Sequence, residues 1–304
     1  MYDLIIIGSG PAGLTAAIYS TRANLKTLIL AGSKWGGQLQ LTTLVENYPG
    51  FPEGIQGPEL MTNMRKQAER FGTEILDRDF VDGDFTKTGG PFIVKTADKS
   101  FEGKAVIVAT GADTKWLGVP GEDKLIGRGV SSCAPCDAPF FKEKNVIVVG
   151  GGDSAMEEAL VLTKFAKSVA LVHRSDSFKA SEIMLKRVKE NPKIKMVTNT
   201  EVKEIMGEMR VEKVKLFNNS TNENLEMAID GVFVAIGHIP NSKVFKGIEA
   251  DDKGFIKVQD HTKTNIEGVF VAGDVHDNHY KQAVTAAGFG CAAALEVERW
   301  LDHM

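Results

Sequence analysis

Short runs of consecutive apolar residues, each ending in glycine, recur along this chain and set its organisation. Asp3-Leu-Ile-Ile-Ile7 has the unbroken apolar character of a strand covered on both faces. It runs into Gly8-Ser-Gly10-Pro-Ala-Gly13, good helix formers follow from Leu14 to Tyr19, and a second apolar run, Thr27-Leu-Ile-Leu30, closes the pattern. The whole reads as a strand-turn-helix-strand unit of about 30 residues. The same order returns later: strand Asn145-Val-Ile-Val-Val149, turn Gly150-Gly-Gly152-Asp-Ser-Ala155, a helix predicted from Met156 to Ala166, and strand Ser168-Val-Ala-Leu-Val172. In each turn the first glycine permits a tight reversal and the second lets backbone approach a pyrophosphate. The third small residue, Gly13 in one turn and Ala155 in the other, lets the helix pack on the strand with its N-terminus facing the anion.

Three further strand-to-turn junctions show how the halves connect: Lys104-Ala-Val-Ile-Val-Ala109-Thr-Gly111, Asp230-Gly-Val-Phe-Val-Ala-Ile-Gly237 and Gly268-Val-Phe-Val-Ala-Gly273-Asp274. The economical partition is discontinuous, with residues 1–113 and 247–304 in a first domain and residues 118–243 inserted as a second. Gly118, Pro120, Pro240 and Gly247 suit the two crossings as hinges. Residues 80–103, polar with alternating character, predict a small antiparallel element. The fold class is therefore α/β: two Rossmann-like three-layer nucleotide-binding domains, the second inserted in the first.

Composition narrows the function. Hydrophobic residues are 43%, charged residues 25% and the formal net charge is −4, which argues against disorder and against a polybasic nucleic-acid surface. The longest apolar runs fall far short of the ~20 residues a membrane helix needs. Asp3 follows Met1 almost at once, so the first apolar stretch reads as a strand and no secretory leader is expected. Glycine is 31 of 304 residues, above the usual ~7%, and cysteine only three. Three cysteines make no disulfide framework; a cytoplasmic location is expected, and a close cysteine pair points to chemistry.

That pair is Cys133-Ala-Pro-Cys136, followed by Asp137. A two-residue spacing lets both sulfurs sit on the first turn of a helix, where free amides favour thiolate over the ordinary pKa of about 8.5. Ser131 and Ser132 are predicted caps. A zinc half-site would need a second ligand pair; Cys291 is alone, with no histidine at ligand spacing near it, so no metal is expected. Inert buried cysteines leave Asp137 unexplained, whereas a general acid for a departing thiolate explains it; a cap or a surface carboxylate is the plainer role.

Together these segments resemble the low-molecular-weight thioredoxin reductases, flavin-dependent pyridine nucleotide disulfide oxidoreductases, over essentially the whole chain. The matching segments are Gly8 to Gly13, Gly36-Gly-Gln-Leu39, Val45-Glu-Asn-Tyr-Pro-Gly50, Ala109-Thr-Gly111, Cys133 to Asp137, Gly150 to Ala155, His173-Arg174, Ala235-Ile-Gly-His238 and Ala272-Gly-Asp274 with Gln282-Ala283. The cysteine pair just before the second glycine turn is the specific part. The resemblance implies FAD on the first turn, held by Gly8, Gly10, Pro11, Ala12, Gly13 and Gly37, with Gln38 and Asn47 near the isoalloxazine, Asp274 on the ribityl chain and Gln282 and Ala283 completing the pocket. It implies that Cys136 faces the flavin and Cys133 attacks a thioredoxin-like partner. It places NADPH, or NADH, on Gly150, Gly152, Asp153, Ser154 and Ala155, with His173, Arg174 and Lys179 toward the 2′-phosphate. A homodimer and a gating rotation of the two domains are implied in the same way.

Three departures from the family pattern matter. No acidic residue follows the first turn at the spacing that would meet an adenosine ribose: the second strand ends Leu30-Ala31-Gly32. Pro135 and Ala138 stand where Thr and Gly are common. The family's arginine cluster reads here His173-Arg174-Ser175-Asp176-Ser-Phe-Lys179-Ala180, so one arginine is serine and another lysine, a point charge rather than a bidentate fork. NADPH remains the expected donor, with NADH, ferredoxin or a deazaflavin as alternatives. A flavin-dependent dithiol oxidase is disfavoured by the intact second turn, and a non-enzymatic nucleotide sensor by the cysteine motif. Cys291 reads as a packing residue; Trp35, beside the Gly-Gly-Gln segment, suits flavin shielding and packing equally, and His238 and His276, near the flavin-side loops, read as structural histidines with hydrogen bonding to cofactor as the alternative.

Overall fold

A computed structural model of the protein describes residues 1–85 and 88–304; Thr86 and Lys87, within the antiparallel element expected over residues 80–103, lie outside the described residues. The chain opens with β1 (Tyr2–Ile7), α1 (Pro11–Arg22), β2 (Thr27–Leu30), α2 (Gly57–Arg70), β3 (Glu74–Leu76), β4 (Asp82–Asp84), β5 (Phe92–Lys95) and β6 (Ser100–Val108). It continues through β7 (Val130–Ser131), the single-turn α3 (Ala134–Asp137), β8 (Asn145–Val149), α4 (Asp153–Leu162), β9 (Ser168–Val172), α5 (Glu182–Lys189) and β10 (Ile194–Val197). Then come β11 (Thr200–Met206), β12 (Lys213–Asn218), β13 (Glu223–Ala228), β14 (Gly231–Val234), β15 (Val269–Val271) and the long α6 (Ala283–Asp302).

The residues form two compact units, Met1–Asp113 with Ile239–Met304 and Thr114–His238. The crossings come a few residues before the positions read from sequence. Each lies in a short strand, Ala112–Thr114 or His238–Pro240, so the turns at Gly118, Pro120 and Gly247 fall inside the units rather than between them.

In the first unit β3, β2, β1 and β6 run parallel in that order. Strand β6 forks. Its C-terminal residues Val106 to Val108 pair in parallel with β15, and its N-terminal residues Ser100 to Gly103 pair antiparallel with β5, which pairs with β4. The alternation of a strand then assigns the two faces. Leu4, Ile6, Ile29 and Ile107 pack against α1, α2 and α6, while Ile5, Ile7, Leu28 and Val108 pack with Phe85, Phe92 and Phe245. Both faces are covered, as a parallel sheet requires, and each fully buried side chain of this kind contributes about 1.5–3 kcal/mol relative to exposure.

The second unit repeats the plan. A five-stranded parallel sheet, β7-β14-β8-β9-β10, packs Val146, Val148 and Leu171 on α4, and Ile147, Val149 and Val172 on the antiparallel β11-β12-β13 sheet. Both helices after the glycine turns begin earlier than their apolar residues suggest. Pro11 at the first helical position and Asp153 in the first turn are good starts. Helix α4 stops at Leu162 instead of Ala166, because the amides of Lys164 and Phe165 turn to carbonyls three residues back.

Candidate redox and nucleotide sites

The functional segments leave the C-terminal ends of the parallel strands, where ligands bind in open α/β sheets. In the first unit β1 delivers Gly8, whose φ is +113° and where a Cβ would sit 2.2 Å from the Ala109 carbonyl oxygen; a Cβ on Gly13 would sit 2.1 Å from the Gly8 oxygen. Both positions are closed to larger residues. A Cβ at Gly10, the N-cap of α1, would meet nothing within 4 Å, so this backbone is open to a ligand. Gly36 and Gly37 lie over the turn: the Gly36 amide donates to Ser9 Oγ at 2.9 Å, and Ser9 Oγ donates to the Ala31 oxygen at 2.7 Å. Gln38 Nε2 donates to Asp113 Oδ1 at 3.0 Å.

From the far end of the chain, β15 brings Asp274 to the same helix, since a Cβ on Gly273 would come within 2.9 Å of the Ala12 Cβ. Asn47 Nδ2 donates to Gln282 Oε1 at 3.3 Å, joining the loop after α1 and β2 to the start of α6. Gln282 caps that helix reciprocally with Thr285, and Ala283 is its first residue. Residues Glu46 to Pro52 line an open cleft of about 540 Å³. Asp274 Oδ1 and His276 Nε2 are both buried without a partner among the described residues. Burial pushes the Asp274 carboxyl up to about 6, with Asp277 adding to the rise, and lowers the His276 pKa. A buried carboxyl with an unused oxygen beside open helix backbone suits a hydroxyl-bearing, anionic ligand. The residues fit FAD.

The adenosine end shows what sequence reasoning missed. Asp79, reached through β3, stands at the end of β2: its Oδ1 accepts from the Ser33 amide at 2.8 Å and from Ser33 Oγ at 3.2 Å. A carboxylate from another segment therefore stands at the end of the second strand, where the sequence itself has none, and no local pattern announces it. Trp35 lies against the core of this unit with the Arg65 guanidinium 4.7 Å from its ring centre, a packing arrangement. Cys291 is half-buried on α6, where its thiol meets the Tyr19 hydroxyl of α1.

The second unit holds the cysteine pair and the other glycine turn. Cys133 and Cys136 form a disulfide with Cα atoms 5.3 Å apart. The Cys136 and Asp137 amides both donate to the Cys133 oxygen, at 3.2 and 3.1 Å, closing the turn. The N-cap residue of α3 is Cys133, which makes no side-chain cap; of the two serines expected as caps, Ser131 does bond to this turn and Ser132 does not. Ser131 Oγ accepts from the Cys133 amide at 3.0 Å and bonds the Asp137 carboxyl, and Ser132 Oγ pairs with Thr114 Oγ1. Burial raises the Asp137 pKa and the Ser131 hydroxyl partly offsets this. The Ala134 amide donates instead to Glu158 Oε2 of α4 at 2.8 Å. Glu158 was also missed, though its signal is in the sequence: it falls on the helical stripe of the buried Ala155, Ala159 and Leu162, an acid half-buried on an apolar face.

In the glycine turn, a Cβ on Gly150 would come within 2.4 Å of the Ala235 oxygen, and one on Gly151 would collide with the His173 ring at 2.2 Å. Gly152, the N-cap of α4, faces open space. Asp153 Oδ1 accepts from the amide and hydroxyl of Ser181, and the Lys179 amide donates to the Gly151 oxygen at 2.8 Å. His173 Nε2 lies 2.9 Å from Ser175 Oγ, and its ring stacks on Phe178. Ser175 thus turns back into its own loop, while Arg174 and Lys179 are exposed beside the turn.

Comparison with known proteins agrees with this geometry. Residues 2–290 match the pyridine nucleotide-disulphide oxidoreductase family. The chain belongs to that family. Among its curated members, a thioredoxin reductase of Mycolicibacterium smegmatis is 53% identical over 304 residues, covering 99% of this chain and 97% of the relative. A bifunctional thioredoxin reductase/thioredoxin of Mycobacterium leprae (strain TN) is 49% identical, covering 99% of this chain and 66% of that protein. Among solved structures, thioredoxin reductase from Streptococcus pyogenes MGAS5005 superposes with a TM-score of 0.94 at 42% identity, over 100% of this chain and 99% of that one. Within the family, this oxidoreductase thus resembles the thioredoxin reductases over its full length, and no helix among its described residues is long and apolar enough to cross a membrane.

Proposed function

We propose that the chain is an FAD-dependent thioredoxin-disulfide reductase that draws on NADPH and delivers electrons to the Cys133–Cys136 disulfide and on to a thioredoxin-like protein. The observation that carries this reading is the disulfide on a turn with a buried acid, Asp137, in the unit that also bears the second glycine turn. When bound, FAD supplies the two-electron carrier between nicotinamide and disulfide that no side chain here provides. Gly10 to Gly13 and Gly37 hold its pyrophosphate, Asp79 its adenosine ribose and Asp274 its ribityl chain; Gln38, Asn47, Gln282 and Ala283 border the ring. Gly150, Gly152, Asp153, Ser154 and Ala155 hold the dinucleotide of NADPH, and His173, Arg174 and Lys179 its 2′-phosphate.

Reduced Cys133 attacks the partner disulfide, forming a mixed disulfide and expelling one partner thiolate, which takes a proton. Cys136 then attacks the Cys133 sulfur, restoring the internal disulfide and releasing the second partner thiol. Asp137, kept protonated by burial more readily than a surface aspartate, holds the proton for a departing thiolate. The chain works as a homodimer in the cytoplasm. Anaerobic stopped-flow with NADPH, NADH and reduced ferredoxin tests the donor: NADPH is expected to bleach the bound flavin fastest, and bleaching by ferredoxin alone overturns the roles of Arg174 and Lys179.

A further inference from the structure

Glu158 touches the redox turn at its centre. Ala134, the first residue of α3, lies between the two cysteines, and its amide has no acceptor within so short a helix. Glu158 Oε2 takes that hydrogen at 2.8 Å from the buried stripe of α4, the helix that begins at the second glycine turn. The charged groups acting on Glu158 are Asp137 of the redox turn and Glu157 of its own helix, both acids, and no cation counters them among the described residues. Burial, partly offset by the hydrogen bond from the Ala134 amide and reinforced by these two acids, pushes the Glu158 carboxyl up to about 8, and burial raises Asp137 too, against a lowering bond from Ser131. Two neighbouring half-buried carboxyls and a thiolate do not carry charge together without a penalty.

We propose that Glu158 is a positioning residue of the redox turn: one carboxyl oxygen holds the Ala134 amide between the cysteines, and the group serves as an uncharged acceptor whose ionisation disfavours thiolate there. The inference rests on the reading of Cys133 and Cys136 as the working dithiol. It ties the start of the redox helix to α4 and gives the dithiol an alkaline limit set by a neighbour rather than by sulfur.

The test uses the full-length, FAD-bound protein, its disulfide reduced by dithiothreitol, which is oxidised in turn and then removed. Iodoacetamide alkylation of Cys133 and Cys136 is followed by mass spectrometry from about pH 6 to 9.5, the range of thiol titration. Glu158→Gln keeps an acceptor oxygen and loses the charge. Its cysteines are expected to react about threefold faster at about pH 8.5 and to titrate at lower pH than in the wild type; superimposable profiles overturn the proposal. Glu158→Leu removes the acceptor, and hydrogen exchange in the peptide carrying Ala134 is expected to rise about tenfold in this variant but not in Glu158→Gln. Equal protection in both variants overturns the positioning role. Neither readout involves NADPH or a partner protein, so a failed relay leaves both intact and is distinguishable from failure of this inference.

Discussion

Gly8 and Gly150 occupy equivalent places in the two units, each at the end of a central parallel strand and each pressed against a carbonyl, Ala109 in one and Ala235 in the other. Beyond that point the two turns diverge. In the first, helix and strand approach so closely that Gly13 admits no Cβ, a second glycine pair folds over the turn, and a carboxyl is left buried and unsatisfied at Asp274. Both N-cap glycines, Gly10 and Gly152, face open space, but in the second turn an alanine fills the third position and the neighbouring Arg174 and Lys179 are exposed. A turn packed too tightly for a Cβ at its third position, with an unmet hydrogen-bonding need beside it, suits a resident cofactor. A turn flanked by exposed cations suits a charged ligand that comes and goes.

The contrast breaks most easily at the third small residue. Gly13→Ala must displace the Gly8 carbonyl, 2.1 Å from the new Cβ, so FAD content of the purified protein is expected to fall at least tenfold by flavin absorbance. The mirror change, Ala155→Gly, meets no such obstacle and is expected to cost only about 1 kcal/mol of stability in chemical denaturation through helix propensity. Equal flavin loss in both variants would erase the distinction between the cradles.

Of intermediate size is the effect at the open turn. Removing one charge-assisted contact by Arg174→Ala is expected to raise KM for NADPH by about tenfold or more, with less than about a twofold change for NADH. Ser175→Arg is expected to lower the NADPH KM; its failure to do so would mean that the loop held by His173 and Ser177 does not face the phosphate.

The smallest effect concerns Asp274. Its carboxyl is raised to about 6 in the folded protein from the ordinary 3.8. The folded state therefore takes up this proton first as the pH falls. The contribution is fully present below about pH 4 and is lost as the pH rises through about 6. Melting temperatures of FAD-stripped wild type and Asp274→Asn, compared across that window, should converge toward the acid end and separate above it, the wild type being the less stable. A constant difference would show that Asp274 is satisfied without the cofactor.

Much of this was legible in the sequence because it is local. A strand covered on both faces, a glycine turn and a helix are written in about 30 consecutive residues, and the Cys-x-x-Cys pair is marked as redox chemistry by its spacing, by Asp137 beside it and by the lack of a second ligand pair for zinc. Helix boundaries were less legible, since Pro11 and Asp153 start helices ahead of the apolar residues that reveal them. At the redox turn Ser131 bonds the Cys133 amide while Ser132 pairs with Thr114, and only packing of α4 beside α3 shows that Glu158 takes the Ala134 amide.

By itself, then, the sequence determined the repeated nucleotide-binding plan, the nesting of one unit in the other and the identity of the reactive cysteines, since each follows from periodicity, turn chemistry and spacing. Tertiary structure alone decided that Asp79 stands at the end of β2, that Asn47 meets Gln282, and that Glu158 of α4 takes the Ala134 amide of the redox turn, with Asp137 acting on it. Those relations join residues from separate segments, and their energies depend on burial and distance, quantities that exist only once the chain has closed on itself.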